Sequence, residues 1–422
     1  MAKLTFVSFI FVAIYLLQLI FFIWMERLNR THVQRLADHV PDPLRGLVDE
    51  EKLARINAYQ SENSNLGIFR KVTMDGLLLA LILTGSLTYL DSLSVRLHLP
   101  YLLAGALFFI LLGLIFFAVE IPFDYYHTFV IEEKFGFNRS TVNTWVTDKL
   151  KGWLLGVALL VAILVPVLWT IRMFPDYWWF WAFLVVSVGQ FCITILYPIL
   201  IAPLFNKFEP LKDRLLAAKV ERLIERVNMK SKGIYQMDAG RRSTHSNAYF
   251  TGVGKTKRIV LFDTLIESHD HDEILAVLAH ELGHFTLKHV RTSLIFFVIA
   301  TLVGFYLTQL VMRWDLLYST FHLDPSKPYL ALLIIGVFWK RAGYFLSPFY
   351  MVLSRRFERQ ADAFGAKLLH TPQPMVKALK VLATHNLANL NPHPFYVWFN
   401  YSHPPLVERV RILEAMDTSP AT

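Results

Sequence analysis

Seven long apolar stretches constrain this chain more than any other feature, because each is close to the length that crosses a bilayer. A membrane-spanning helix needs about 20 mainly apolar residues. The stretches are Leu4–Met25, Val72–Leu90, Tyr101–Ala118, Trp153–Ile171, Tyr177–Leu200, Ser293–Met312 and Tyr329–Leu353. They predict a polytopic membrane protein with seven transmembrane helices. The composition agrees, since 55% of the residues are hydrophobic and only 18% are charged.

Basic residues orient the predicted helices, because cytoplasmic loops are enriched in Lys and Arg. In the first and third connections they are Arg27, Arg30, Arg35, Arg45, Lys52, Arg55, Arg70, Lys71, Lys134, Arg139, Lys149 and Lys151. In the second, fourth and sixth they are Arg96, Arg172, Arg313 and Lys327. This asymmetry predicts an N-terminus outside the membrane and a C-terminus in the cytoplasm.

The chain divides by hydropathy into four segments: 1–205 with five spans, 206–292, a two-span hairpin at 293–353, and 354–422. The second and fourth are predicted to form one cytoplasmic catalytic domain. Within the second, three short strand-like runs precede a stretch of helical periodicity. The strands are Gly233–Met237, Asn247–Thr251 and Arg258–Phe262, and the helix is His271–Val290. The fold class is therefore mainly α, with a small β-sheet in the cytoplasmic domain.

The charge and cysteine content exclude two other interpretations. The formal net charge is +9, but the basic residues form no long run, so no nucleic-acid partner is predicted and the lipid bilayer accounts for them. Cys192 is the single cysteine, which excludes an intramolecular disulfide framework.

The run His280-Glu281-Leu282-Gly283-His284 is an HExxH motif within the predicted helix. Two histidines four residues apart on a helix lie one turn apart on one face, so both imidazoles can reach one zinc ion. Zinc at a catalytic site acidifies a water molecule, and a neighbouring carboxylate can take the proton. The motif predicts His280 and His284 as zinc ligands and Glu281 as general base.

A third ligand is expected, and segment 354–422 supplies Glu358, with Asp362 one helical turn later. Glu358 is the better ligand candidate, while Asp362 can orient a ligand histidine. The alternative is an exposed acidic face paired with neighbouring arginines. The two spans between His284 and Glu358 argue against it, because they return the chain to the same side of the membrane.

These motifs give the chain a resemblance to the type I CAAX prenyl endopeptidases, which are seven-span zinc proteases with a membrane-enclosed chamber. The resemblance covers roughly Phe123 to Val410. It is carried by FVIEEKFGFNRSTVNTWVTDKLKG from Phe129, RSTHSNAYFTG from Arg242, HELGHFTLKH from His280 and SRRFERQADAFGAKL from Ser354.

The resemblance implies one Zn²⁺ per chain on His280, His284 and Glu358, in a zincin-like domain. It further implies that Asp362 and His403 belong to the catalytic residues and that Arg409 lies near substrate. His403 or Arg409 could polarise the scissile carbonyl or bind a carboxylate. In the family, the stretch matching Asn247, Ala248 and Tyr249 holds the substrate as an added β-strand.

The resemblance alone implies a substrate, a protein with a C-terminal prenyl group from which the terminal tripeptide is removed. Two alternatives stay open at this point. One is a bacterial-type quality-control protease that acts on unlipidated membrane polypeptides. The other is a seven-span transporter that binds metal without catalysis and would not need Glu281.

Overall fold

The structure is a computed structural model that describes residues 6–251 and 256–417. Its helices are α1 (Phe6–Arg35), α2 (Glu50–Leu83), α3 (Ser86–Arg96), α4 (Tyr101–Tyr126), α5 (Val142–Met173), α6 (Trp178–Leu196), α7 (Ala202–Phe205), α8 (Arg214–Glu225), α9 (Asp263–Ser268), α10 (His271–Thr286), α11 (His289–Met312), α12 (Asp315–Phe321), α13 (Pro328–Leu369), α14 (Gln373–His385), α15 (Pro394–Asn400) and α16 (Leu406–Asp417). Its strands are β1 (Phe208–Pro210), β2 (Lys230–Met237), β3 (Ala248–Thr251) and β4 (Thr256–Phe262). Some parts of the predicted segments lie outside the described residues. They are residues 1–5, where the first predicted span begins, Gly252 at the end of the quoted motif, and residues 418–422 of the last segment.

Six helical segments of the described chain are long and apolar enough to cross a membrane. They are Phe6–Arg35, Tyr101–Glu132, Val142–Met173, Trp178–Phe205, His289–Met312 and Pro328–Leu369. The second and fourth include π-helical turns, at His127–Glu132 and Tyr197–Ile201. The mainly helical, multi-span architecture predicted from the sequence is confirmed.

The predicted second span, Val72–Leu90, differs from the other six. The chain leaves the helix between α2 and α3, where Gly85 has a φ of 76° that favours glycine. Asp75 also interrupts its apolar sequence, and Arg70 and Lys71 directly precede it. Ile82, however, is buried in the same core as residues of the other membrane helices, so α2 still packs within the bundle. The count of seven spans is therefore approximate.

A buried ion pair connects α2 to α13 inside the helix bundle. Both terminal nitrogens of Arg341 donate to the carboxylate of Asp75, at 2.7 Å each. Gln18 of α1 accepts a further hydrogen bond from Arg341 at 2.6 Å, and the guanidinium lies 4.0 Å from the ring centre of Tyr15. Pairing thus compensates a charge that would be costly in hydrocarbon.

The four strands form one mixed sheet in the order β1-β2-β4-β3. β2 runs parallel to β4, while β1 and β3 are antiparallel to their neighbours. The apolar sides of α8, β4 and α10 share one core, which includes Leu216, Ile259 and Leu278. The sequence did not predict β1, because three residues are too few for an alternating pattern.

Helix α13 unites two regions that the sequence analysis separated at residue 353. It runs unbroken over 42 residues from Pro328 to Leu369. A helix of that length is about 63 Å long, roughly twice the thickness of the hydrocarbon layer. The same rigid element can therefore cross a membrane and present Glu358 and Asp362 beyond it. The predicted helix His271–Val290, by contrast, breaks near Lys288, which has a φ of 60° between α10 and α11.

Candidate active site

A capping box fixes the start of α10, the helix that carries the HExxH motif. The Asp270 carboxylate accepts hydrogen bonds from the backbone N–H groups of Asp272 and Glu273, at 2.9 and 2.8 Å. The Glu273 carboxylate accepts from the backbone N–H of Asp270 at 3.0 Å. This reciprocal pattern satisfies donors that a helix N-terminus otherwise leaves free. It places His280 and His284 in the final turns of the helix.

Two glycines let α10 and α13 approach closely beside the motif. A Cβ atom at Gly283 would lie 2.9 Å from the Cα of Ala361. On the facing helix, a Cβ at Gly365 would lie 3.1 Å from the backbone nitrogen of His280. Neither backbone contact can be relieved by moving a flexible side chain. The small residues thus determine how near Glu358 comes to the histidines.

His280, His284 and Glu358 form a compact group of possible metal ligands. The two Nε2 atoms are 3.1 Å apart, and they lie 3.3 and 3.2 Å from oxygens of the Glu358 carboxylate. A tetrahedral site with metal–ligand distances of 2.0 to 2.1 Å has ligands roughly 3.3 Å apart. The side chain of Glu358 is 4% exposed. The donor atoms and their spacing therefore fit a metal ion.

The alternative of an exposed acidic face is wrong for this helix, because Glu358 and Asp362 are both buried. Two of the neighbouring arginines have other partners. Arg355 donates to the carbonyl oxygens of Val397 and Tyr401, and Arg359 pairs with Glu408. The acidic residues on α13 consequently face the motif histidines.

Asp362 lies behind His280 and holds its imidazole. Oδ1 of Asp362 is 2.8 Å from Nδ1 of His280. Arg409 donates to the same carboxylate through Nε at 2.8 Å and Nη2 at 2.6 Å, and it is buried there. Of the two roles considered from the sequence, Arg409 makes contacts that fit binding a carboxylate, that of Asp362. A contact with substrate stays a prediction.

Burial and neighbouring charges shift the pKa values of two motif residues, Glu281 and His280. Burial raises the pKa of Glu281, an effect that the adjacent histidines partly oppose. For His280, burial lowers the pKa, but hydrogen bonds to Asp362 and Glu358 outweigh it and raise the pKa to about 9. Without a metal, the site therefore favours a proton on His280.

His403 approaches the centre from the loop between α15 and α16. Its Nδ1 lies 2.8 Å from Oε2 of Glu358, and its side chain is 62% exposed. The hydrogen bond from Arg355 to the carbonyl of Tyr401, at 2.5 Å, fixes the chain two residues before it. His403 is thus the exposed member of a cluster that is otherwise largely buried.

Strand β3 forms one edge of the sheet and packs against α10. Ala248 and Tyr249 lie in the strand and pair with Leu261 and Val260 of β4. Asn247 immediately precedes it, and its carbonyl oxygen accepts from Phe262 N at 3.1 Å. Within the described residues, β4 is the only strand paired with β3. The side of the strand away from β4 is therefore the edge to which an extended peptide could add.

Comparison with known proteins identifies the family. The model for the CAAX prenyl protease N-terminal region, described as five membrane helices, matches residues 29–207, and the model for peptidase family M48 matches residues 210–417. The chain belongs to peptidase family M48. It is 34% identical over 397 residues to the CAAX prenyl protease 1 homolog of Arabidopsis thaliana, covering 90% of this chain and 91% of that protein.

The likeness of this M48 peptidase extends to a human protein and to a solved structure. It is 32% identical to the CAAX prenyl protease 1 homolog of Homo sapiens, with 96% of each chain covered. The crystal structure of S. mikatae Ste24p superimposes with a TM-score of 0.89 at 32% identity, covering 96% of this chain and 98% of that one. The chain is thus an integral-membrane metalloendopeptidase, and neither alternative function is favoured.

Sequence reasoning missed two residues of this M48 peptidase that hold His284. Nδ1 of His289 lies 3.1 Å from Nδ1 of His284, and its Nε2 lies 3.0 Å from Oε1 of Gln360. The His289 ring also stacks on Phe357, with centroids 4.3 Å apart. Because the Gln360 oxygen accepts from Nε2, the Nδ1 of neutral His289 accepts the proton of His284. The sequence signal was the histidine five residues after the motif, but spacing alone did not distinguish it from an ordinary helix residue.

Proposed function

We propose that this peptidase uses zinc and removes the C-terminal tripeptide from prenylated proteins. The main support for zinc is the group formed by His280, His284 and Glu358, whose donor atoms suit zinc in kind and spacing. The substrate class rests on the relatives, which are named CAAX prenyl protease 1 homologs and are similar to this chain over nearly its whole length. Zinc would acidify a water molecule and polarise the scissile carbonyl.

Glu281 acts as the general base in this proposal. One of its carboxylate oxygens takes a proton from the attacking water and later gives it to the leaving amine. Burial raises the pKa of Glu281, which helps the carboxyl group to keep the proton between these two steps. A glutamine at this position preserves the shape of the side chain but cannot accept a proton.

Asp362 and Arg409 serve as positioning residues. The carboxylate of Asp362 accepts the Nδ1 proton of His280, so that Nε2 keeps its lone pair for the metal. Arg409 fixes both oxygens of that carboxylate. His403, exposed beside Glu358, would donate a hydrogen bond to the carbonyl oxygen of the substrate as negative charge develops there.

The substrate would lie along β3 as an added antiparallel or parallel strand, at Asn247, Ala248 and Tyr249. An edge strand binds any extended peptide through backbone hydrogen bonds, which suits variable sequences.

For the membrane topology, the proposal places the N-terminus outside the membrane and the catalytic domain in the cytoplasm. That domain would combine residues 206–292 and 354–422, with residues 1–205 and 293–353 forming the membrane region.

The first experiment measures zinc content and peptide cleavage by the purified wild type and Glu281→Gln in detergent. The substrates are a farnesylated CAAX peptide and its unlipidated twin. We expect zinc in both proteins and cleavage by the wild type alone, with the farnesylated peptide preferred. Absence of zinc from the wild type would refute the metal assignment. Equal cleavage of the two peptides would instead favour a general membrane peptidase.

A further inference from the structure

A slot between α4 and α5 lies apart from the metal centre and has a volume of about 670 Å³. That volume falls within the range of roughly 300 to 1,000 Å³ typical of small-molecule sites. Aromatic rings and glycines line one end of it, including Phe109, Phe117 and Trp153. Phe117 and Trp153 stack with centroids 5.0 Å apart. This end therefore suits an apolar chain.

Two glycines on α5 keep the slot open. Gly152 and Gly156 are four residues apart and both line the slot. A Cβ atom added at either position would meet no described heavy atom within 4 Å. Because residues four apart share one helix face, the two glycines leave a continuous groove along α5. A larger side chain at Gly156 would enter that groove without displacing the backbone.

The opposite end of the α4–α5 slot, which we call its mouth, is lined by polar residues that include Asp124, Asp148, Lys149 and Arg242, and these charges are already paired. Lys149 forms an ion pair with Asp124, and Arg242 binds both oxygens of Asp148, at 2.6 and 3.1 Å. The indole nitrogen of Trp145, by contrast, is buried without a hydrogen-bond partner among the described residues. An occupant with an apolar chain and one hydrogen-bond acceptor near the mouth would complement this lining.

The mouth is connected to the predicted substrate strand through a short, fixed piece of chain. Thr244 N donates to Phe137 O at 3.2 Å, and Arg139 N donates to Arg242 O at 3.1 Å. His245 lies on Phe137 with ring centroids 4.5 Å apart, and its Nε2 is 3.3 Å from Glu132 at the mouth. Asn247 follows Ser243 by four positions along the chain, a reach of at most about 13 Å. A peptide on β3 and a chain in the slot would therefore be neighbours.

We propose that the α4–α5 slot binds the isoprenoid of the lipidated cysteine while the peptide lies along β3. This inference rests on the proposed function and adds the location of lipid recognition. The occupant follows from the apolar lining, the polar mouth and the fixed connection to β3. Burial of isoprenoid methylenes here would supply binding that an unlipidated peptide lacks.

The test compares Gly156→Leu with Gly304→Leu, a matched control on α11 where an added Cβ also meets no described atom within 4 Å. For each protein, kcat/KM is measured with the farnesylated peptide and the unlipidated twin. We expect Gly156→Leu to lower the ratio of the two values about tenfold, mainly through KM, and Gly304→Leu to leave it at the wild-type value. An unchanged ratio in Gly156→Leu, with a clear preference in the wild type, would overturn the slot and leave the proposed function intact.

A second measurement uses Glu281→Gln and a farnesyl peptide that carries a photoreactive group on the isoprenoid. We expect cross-links to residues 109–117 of α4 and 145–160 of α5. Added farnesylated peptide without the photoreactive group should suppress these cross-links, and the added unlipidated twin should not. Suppression by added phospholipid but not by the farnesylated peptide would assign the slot to bilayer lipid and refute the proposal. A wild type without preference for the farnesylated peptide would refute the slot together with the prenyl substrate.

Discussion

Each motif histidine is held on the side away from the metal group, but by different partners. Asp362 and Arg409 hold His280, whereas His289 and Gln360 hold His284. In both cases Nδ1 makes the contact, so Nε2 points toward Glu358. Partners of this kind fix the tautomer and ring orientation of a metal ligand. They are expected to matter for metal affinity although they do not touch the metal.

Replacing His289 with Phe tests the partner that the sequence did not reveal. The new ring can keep the stacking on Phe357 but cannot bond to His284 or Gln360. We expect zinc affinity to fall about 10- to 100-fold, with little change in melting temperature. Competition with a chelator measures the affinity, and Gln360→Leu should act in the same direction. Wild-type affinity in both variants would show that these contacts are only structural.

Zinc binding should compete with protons at His280. Burial lowers the pKa of this group, but the carboxylates of Asp362 and Glu358 raise it to about 9, so the metal-free site is protonated below that pH. Zinc takes the neutral imidazole, and binding then releases the proton. Apparent affinity should rise about tenfold per pH unit between roughly pH 6 and 8. Chelator competition across that range measures the slope, and a flat profile would contradict the prediction.

At the scale of the elements, the site depends on how closely α10 and α13 pack. Gly283 and Gly365 lie on opposite helices, each against the backbone of the other. The long α13 brings Glu358 and Asp362 together on one buried face. The separation between the helices therefore sets the distance between the histidines and the third ligand.

Gly283→Ala should disturb this packing directly. The added methyl would lie 2.9 Å from Ala361 Cα and 3.1 Å from its carbonyl oxygen, so the helices must move apart. We expect about 1 to 3 kcal/mol of destabilisation and loss of bound zinc. Gly304→Ala is the control, since no described heavy atom lies within 4 Å of its new methyl. Full zinc content at the wild-type melting temperature would show that the helices tolerate the methyl group.

At the scale of the whole molecule, a buried charge network joins α13 to α1 and α2, which lie far from it in sequence. Arg341 of α13 contacts Asp75 of α2 and Gln18 of α1. Lys71 also pairs with Asp75, at 2.6 Å. Charges within a helix bundle are tolerated when they are paired, and removal of one partner leaves the other buried without compensation.

Asp75→Leu should cost about 3 to 5 kcal/mol, because it leaves the buried Arg341 without its carboxylate partner. Arg341→Met should cost less, because Lys71 still pairs with Asp75. The double variant should lose clearly less than the sum, because it leaves neither of the two charges unpaired. The melting temperatures of the wild type, the two single variants and the double variant in detergent measure these losses. Lys340→Met is the control, since Lys340 is the exposed neighbour. If the loss of stability in the double variant equals the sum of the two single losses, Arg341 and Asp75 do not stabilise each other.

Much of the architecture could be predicted because its signals are local. Six of the seven apolar stretches correspond to described helices that are long enough to cross a membrane, and helical spacing placed His280 and His284 on one face. The stretch Val72–Leu90 leaves the count of spans approximate, because its mean hydropathy does not reveal the break in the helix at Gly85. The short β1 lacked any periodic signal.

The sequence by itself determined the membrane architecture, the small sheet and the two histidines beside Glu281, since hydropathy and helical periodicity act over a few neighbouring residues. It also predicted Glu358, through motif resemblance and membrane topology. Only the tertiary structure decided that Arg409 binds Asp362, that His289 and Gln360 hold His284, and that Asp75 compensates Arg341. These contacts join residues separated by up to 266 positions. Their partners are selected by how the helices pack, which no local pattern encodes.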